Sequence, residues 1–92
     1  MRFAWDETKN RANLRNHGIC FEIAANVFNG PMLVMRDDRI DYGEARFVAV
    51  GMIDQRFVVV VYAEPEPDVV RIISARKAER HEREAFQKTF KG

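Results

Sequence analysis

Six consecutive apolar or aromatic residues, 57–62, occupy the middle of the chain. A run of this length without polar alternation is typical of a β-strand that is covered on both faces. A Pro-rich acidic segment at residues 64–68 follows the run, and its composition predicts a turn. Any fold open to this chain must therefore place further structure on both sides of one central strand.

The chain has 92 residues, of which 47% are hydrophobic. A chain of this length forms one domain, here residues 1–92, with enough apolar mass for a packed core. The formal net charge is +1, so any nucleic-acid binding must come from local charge. The lone cysteine, the lack of a secretory pattern and the shortness of every apolar run predict a cytoplasmic protein that makes no membrane contact.

Helical patterns flank the apolar middle of the chain. Asp6 is well placed to cap a first helix that Gly18 ends, and this helix is so polar that tertiary contacts must pin it through its ends. A second helix before residues 29–31 is predicted by the apolar stripe of Phe21, Ala24, Ala25 and Phe28. A third helix is expected from Lys77 onward, with a buried side formed by Ala78, Ala85, Phe86 and Phe90.

Between these helices lie four runs that are too short for helices and rich in Val, Ile and Phe. They predict strands at residues 32–36, 44–53, 56–63 and 69–75, whereas Phe3 and Trp5 are expected to form only a short extended anchor. The sequence thus predicts an α+β fold with two N-terminal helices, a four-stranded antiparallel sheet and a C-terminal helix.

The end of the last predicted strand carries Arg71, Arg76 and Lys77. A guanidinium group holds two phosphate oxygens at once and can stabilise the charge of a phosphoryl transition state. Strand alternation places Arg71 and Arg76 on opposite faces unless a bulge intervenes. The structural alternative is that Arg71 pairs with a carboxylate such as Glu44 across the sheet, while the other two are solvated.

Two further groups of residues could carry chemistry. Lys9, Asn13 and His17 recur every four residues and share one helix face, which could contact a nucleic-acid backbone or simply be solvated. Glu44 and Arg46 stand two apart, so they share a strand face and could act as base and phosphate clamp or pair with each other. Metal and nucleotide motifs are absent from the sequence, and no cofactor is expected.

Taken in order along the chain, these residues resemble the BrnT family of type II toxins. The resemblance rests on Phe3-Ala4-Trp5-Asp6, Lys9, Asn13, His17-Gly18, Phe21-Glu22, Ala24, Val27-Phe28, Gly43-Glu44, Arg46, Arg71-Ile72-Ile73-Ser74-Ala75-Arg76, Ala78 and Glu82-Arg83. It implies a RelE-like fold, ribonuclease activity that arrests translation, and a BrnA-type ribbon-helix-helix antitoxin that neutralises the toxin. Through that antitoxin the complex would bind operator DNA.

The resemblance also guides the assignment of roles. We expect metal-independent RNA cleavage by the RNA's own 2′-hydroxyl, with Arg46, Arg71 and Arg76 on the phosphate and Glu44 or His17 moving protons. Residues expected to guide the RNA strand are Lys9, Asn13, Ser74, Lys77 and Arg83. Two alternatives stay open: a non-catalytic toxin that blocks a protein target, and a corepressor module that only binds a DNA-binding protein.

Overall fold

The structure is a computed structural model that describes residues 1–91. Five strands and three α-helices lie within these residues. The strands are β1 (Arg2–Ala4), β2 (Leu33–Asp37), β3 (Arg46–Ile53), β4 (Arg56–Glu66) and β5 (Val69–Lys77). The helices are α1 (Glu7–His17), α2 (Phe21–Ala24), which runs on into a 3₁₀ turn at Ala25–Asn29, and α3 (Arg80–Thr89).

The α+β class is confirmed, but the sheet has five strands and is mixed, in the order β1-β5-β4-β3-β2. The expected anchor around Phe3 is a strand, which pairs in parallel with the start of β5. The backbone N–H of Arg2 donates to the carbonyl of Asp68, and the terminal ammonium lies 3.2 Å from the Asp68 carboxylate. Three residues are too few for alternation to reveal a strand, so this pairing was missed.

Helix α1 begins and ends where the sequence predicts. The Asp6 carboxylate accepts a hydrogen bond from the backbone of Lys9, and Gly18 ends the helix in the left-handed region at φ 71°. The polar helix is pinned by tertiary contacts, although these lie in its middle rather than at its ends. Its two buried residues are Asn10 and Asn13, and both use their amides to bind other elements.

Helix α2 is shorter than predicted and lacks a side-chain cap of its own. Cys20 makes no capping hydrogen bond, and the side-chain oxygen Oδ1 of Asn10 instead accepts from the backbone N–H of Phe21 at 2.7 Å. After Ala24 the chain tightens into the 3₁₀ turn, in which residues three apart align. Because of this spacing, Val27 is buried against the sheet in line with Ala24. A continued α-helix would have placed Phe28 in that buried position.

Helix α3 begins three residues later than predicted because β5 extends to Lys77. Glu79 and Glu82 form a capping box at its start. Phe86 is buried as expected, but Ala85 is exposed and Phe90 is 41% exposed. The buried position on the first turn is taken by Glu82, which binds Arg76.

The sheet has a core on each face. One core, which includes Phe21, Tyr62 and Ile72, lies between the sheet and the α1–α2 segment. The other forms where Phe86 of α3 packs near Val59. The central strand β4 is thus covered on both faces, as its apolar run predicts. None of the helices in residues 1–91 has the length and apolar character needed to cross a bilayer.

Candidate functional site

Arg46 and Arg71 lie on the same face of the sheet. Both pair with Ala63 of β4, Arg46 from β3 and Arg71 from β5. Residues that pair directly across strands point to the same face. Two separate strands therefore contribute one arginine each to neighbouring positions on a single surface.

A β-bulge in β5 changes the direction in which its later side chains point. Tyr62 pairs with Ile72 and Val61 pairs with Ser74, so Ile73 is an extra residue opposite this part of β4. Without the bulge, residues an odd number of positions apart would point to opposite faces. The extra residue reverses the alternation beyond it.

Because of the bulge, Arg76 shares the face of Arg71, although simple alternation would separate them. The partner of Arg76 is Val59, which lies four positions from Ala63 along β4, or about 13 Å. Long arginine side chains can bridge much of such a distance. We call this surface the arginine face and define it by Arg46, Arg71, Ser74 and Arg76.

The arginine face is only partly covered. At one end Phe86 of α3 packs near Val50 and Val59 and closes the core there. Farther along the same face, Val48 of β3 and its partner Val61 of β4 are only half-buried, so α3 does not cover them completely. The opposite face is closed by the α1–α2 segment. An extended ligand therefore has access to the arginines on one side of the sheet only.

A carboxylate lies directly among these cations. Glu44 accepts a hydrogen bond from Nη2 of Arg71, which confirms the pairing that the sequence left open as a structural alternative. Nε of Arg46 is 3.9 Å from the Glu44 carboxylate, too far for a hydrogen bond. The Arg46 guanidinium instead stacks 3.9 Å above the centre of the Tyr42 ring.

Arg46 has an unmet donor. Its Nε is buried and has no hydrogen-bond partner among the residues that the structure describes. A buried N–H without a partner costs about 1–3 kcal/mol, which the stacking on Tyr42 and the charge of Glu44 offset. Arg46 is thus oriented by stacking and by charge.

Arg76 is held by the other carboxylate of the site. Its two terminal nitrogens donate to the two oxygens of Glu82, each at 2.8 Å. Glu82 also accepts from the backbone N–H of Glu79. The hydrogen bonds from Arg76 lower the pKa of the Glu82 carboxyl, and they raise the pKa of the Arg76 guanidinium. This pair fixes the start of α3 to the end of β5.

The Arg76–Glu82 pair predicts an acid-dependent stability. Because the pKa of Glu82 in the folded protein lies below its ordinary value of 4.5, its contribution is complete above that pH and is lost as the pH falls through the folded pKa. Glu82→Gln should lower the free energy of unfolding by about 1 kcal/mol at neutral pH and flatten its decline in acid. Urea titrations across this pH range measure both effects, and parallel curves for the two proteins would contradict the assignment.

Arg39 is a site residue that the sequence analysis missed. The buried carboxylate of Asp37 accepts from its Nε at 2.9 Å and from its Nη2 at 3.1 Å, and these bonds lower the pKa of Asp37. Asp37 pairs with Arg46 across β2 and β3, so its side chain lies on the arginine face and holds Arg39 there. Arg39 therefore adds a fourth cation near the arginine face. The loop that carries Arg39 is mostly polar, so its composition did not distinguish Arg39 from its neighbours. The position of Arg39 depends on the burial of Asp37, which the sequence does not show.

His17 lies apart from these residues. It is exposed at the end of α1 and lines a cleft together with Lys77. Lys77 pairs with Val58, which belongs to the core between the sheet and the α1–α2 segment. The proposed cooperation of His17 with the three arginines is therefore contradicted by the fold, because β5 lies between them. Lys9 is exposed on the same helix, α1.

Asn13 is a structural residue, which corrects the expected RNA contact. Its amide nitrogen donates to the carbonyls of Ile19 and Ala75, both at 2.8 Å, and its oxygen accepts from the N–H of Ala75. β1 pairs with β5 only as far as Arg71, so Asn13 takes the place of a neighbouring strand beyond that point. Its amide is fully occupied and buried.

The remaining predicted residues are distributed between the two sides of the site. Ser74 is half-buried on the arginine face, and Arg83 is half-buried on α3. Glu44 also lines two open clefts of about 410 and 400 Å³. Within residues 1–91, no three His, Cys, Asp or Glu side chains are grouped so that they could hold a metal ion.

Comparisons with known proteins bear on the fold and the family of this chain. The model of the family described as the ribonuclease toxin BrnT of type II toxin–antitoxin systems matches residues 5–82. The crystal structure of the Brucella abortus ribonuclease toxin BrnT superposes with a TM-score of 0.69 at 22% sequence identity, covering 87% of this chain and 99% of that one. Among curated proteins, none matches this chain significantly. The family match spans most of the chain, and the chain belongs to the BrnT family of ribonuclease toxins of type II toxin–antitoxin systems.

Proposed function

We propose that this ribonuclease toxin cuts RNA without a metal ion, by activating the 2′-hydroxyl next to the scissile phosphate. The observation that carries the proposal is that Arg46, Arg71 and Arg76 share one partly open face with a carboxylate between two of them. A phosphate there would meet several guanidinium groups, which suit its charge and its geometry. The relation to RelE-like ribonucleases is part of this proposal.

In the proposed reaction, Glu44 takes the proton of the 2′-hydroxyl. The freed oxygen attacks the phosphorus, the bond to the 5′ oxygen breaks, and that oxygen leaves with a proton from water. The products carry a 2′,3′-cyclic phosphate, or a 3′-phosphate after hydrolysis, and a 5′-hydroxyl. Arg46 binds the phosphate together with Arg71 and Arg76, and the three guanidinium groups stabilise the charge that develops.

RNA binding at this site requires an exchange of partners. Arg71 begins bound to Glu44, and Arg76 begins bound to Glu82. A phosphate that displaces Glu44 from Arg71 leaves the carboxylate free to accept a proton. The same event would thus load the phosphate site and release the base.

The chemistry predicts two results with purified protein and labelled RNA. Cleavage should persist in EDTA, and it should stop when hydrogen replaces the 2′-hydroxyl at the scissile position. A substrate with the same replacement at a distant nucleotide is the control and should be cut normally. Loss of cleavage in chelator, or cutting of the 2′-deoxy position, would contradict this mechanism.

The toxin–antitoxin family implies a neutralising partner. We propose that it is a BrnA-type ribbon-helix-helix protein, that the complex binds operator DNA through it, and that the toxin cleaves RNA in the cytoplasm and thereby arrests translation. A short basic protein encoded beside this chain, which co-purifies with it and blocks cleavage, is the expected finding. A neighbouring gene of another class would contradict the assignment.

A further inference from the structure

The cleft at the end of α1 carries an unbalanced positive charge. It has a volume of about 320 Å³ and lies between the end of α1, the start of β4 and the end of β5. His17, Arg56 and Lys77 line it, and Phe57 and Val58 contribute apolar surface. No acidic residue lines the cleft within the part of the chain that the structure describes. We call this feature the basic cleft.

The cations of the basic cleft are available to a ligand. Across residues 1–91, neither Arg56 nor Lys77 forms an ion pair, whereas all three arginines of the arginine face lie beside carboxylates. The nearest carboxylate along the chain from Arg56, Asp54, lines the adjoining groove rather than this cleft. A cleft lined by one sign of charge concentrates ligands of the opposite sign.

The basic cleft and the arginine face meet in sequence at the end of β5. Arg76 and Lys77 are consecutive, so their Cα atoms are about 3.8 Å apart and their side chains point to opposite faces of the sheet. An RNA strand that leaves the arginine face at Arg76 can pass the strand end and meet Lys77 next. Phosphates repeat along the strand, so one chain can occupy both places.

We propose that the basic cleft is a second phosphate-binding site, which holds the backbone of a single-stranded RNA on the opposite side of the sheet from the cleavage site. His17 and Lys77 thereby bind RNA at a distance from the reaction, and Arg56 joins them. This inference rests on the proposed function, because it takes RNA as the ligand that continues from the arginine face.

The test compares a double variant, Arg56→Ala with Lys77→Ala, with the intact chain. The probes are 2′-O-methyl RNAs, which cannot be cut by the proposed chemistry, of about four and about twelve nucleotides, lengths within the range of single-stranded binding sites. The double variant should bind the longer RNA about tenfold more weakly than the intact chain does. The difference in affinity between the longer and the shorter RNA should therefore be smaller in the double variant. Its slope of log affinity against log salt should fall by about 1.4, since each phosphate contact on a single strand contributes roughly 0.7.

Lys88→Ala with Lys91→Ala is the matched control, because it also removes two exposed charges but none from the basic cleft. It should keep the length dependence and the salt slope of the intact chain. Circular dichroism and thermal melting establish that each variant is folded, and if the double variant fails to fold, Arg56→Ala alone tests the proposal at an exposed position. That single variant should lower the salt slope by about 0.7, and an unchanged slope would contradict the proposal.

Equal length dependence and equal salt slope in the double variant and the intact chain would overturn the basic cleft as an RNA site. The same conclusion follows if the double variant loses a co-purifying protein partner and binds RNA normally, or if the intact chain binds neither RNA. An intact chain that binds natural RNA without cutting it would overturn the proposed function alone, because the 2′-O-methyl probes still report on the cleft.

Discussion

Asn13→Ala should lower the free energy of unfolding by about 3 kcal/mol, because it leaves two buried backbone groups and one part-buried backbone group without partners. These are the N–H and carbonyl of Ala75 and the carbonyl of Ile19. Each buried polar group left without a partner costs about 1–3 kcal/mol, and water can restore part of this. For a chain of this size the loss corresponds to a fall in melting temperature of roughly 15 °C. Calorimetry or thermal melting measures it directly.

Asn16→Ala is the control for this change. Asn16 lies on the same helix and is exposed, so the same substitution there alters helix propensity without breaking a tertiary contact. We expect its effect to stay within about 0.5 kcal/mol. Hydrogen exchange adds a local test, because the Ala75 amide should lose protection in Asn13→Ala and keep it in Asn16→Ala. Similar melting temperatures for the two variants would show that Asn13 does not anchor α1.

The role of Asn13 shows why pattern alone misassigned it. Its spacing from Lys9 and His17 correctly places the three on one helix face, but spacing does not tell which neighbour that face meets. Beyond the end of β1, the edge of β5 leaves the N–H and the carbonyl of Ala75 without a strand to pair with. These two groups need an acceptor and a donor at one point, and a carboxamide supplies both. That need arises from the sheet topology, which the sequence predicted without β1.

The arrangement of the arginines could be predicted only in part. Alternation correctly identified a bulge as the condition for Arg71 and Arg76 to share a face, but no residue type in the segment Ile72–Ser74 marks where a bulge forms. The bulge depends on how β5 pairs with Tyr62 and Val61 of β4. By contrast, the continuous apolar run of β4 and the caps of α1 are local signals. The first was sufficient to predict a central strand covered on both faces, and the second was sufficient to predict where α1 begins and ends.

The resting site holds four arginines and three carboxylates, so most of its positive charge is neutralised, and this has a functional consequence. Glu44 and Glu82 hold Arg71 and Arg76 in place, and Asp37 holds Arg39. The carboxylates keep the guanidinium groups ordered and prevent their mutual repulsion before RNA arrives. They also compete with phosphate for the same donors. A carboxylate at this site can therefore oppose binding and still promote the reaction.

Glu44→Gln separates these two effects and should bind RNA more tightly while cutting it far more slowly. Loss of the negative charge of a partly exposed ion pair is worth about 1 kcal/mol, so affinity for uncleavable RNA should rise about fivefold. Loss of the group that takes the 2′ proton should lower kcat by about 10²–10⁴-fold. Single-turnover cleavage rates and direct binding titrations measure the two quantities separately.

Glu64→Gln is the matched control, since Glu64 is exposed and lines a cleft that Glu44 also lines, but it binds none of the arginines in the described chain. It removes the same charge nearby and should leave the cleavage rate close to that of the intact chain. If Glu44 served only as a counter-ion to Arg71, Glu44→Gln would bind more tightly and cut at least as fast. That outcome would remove Glu44 as the base and leave the arginines as the catalytic groups. A fall in rate without weaker binding is the result that a proton-transfer role predicts, because the change in charge alone favours an anionic substrate.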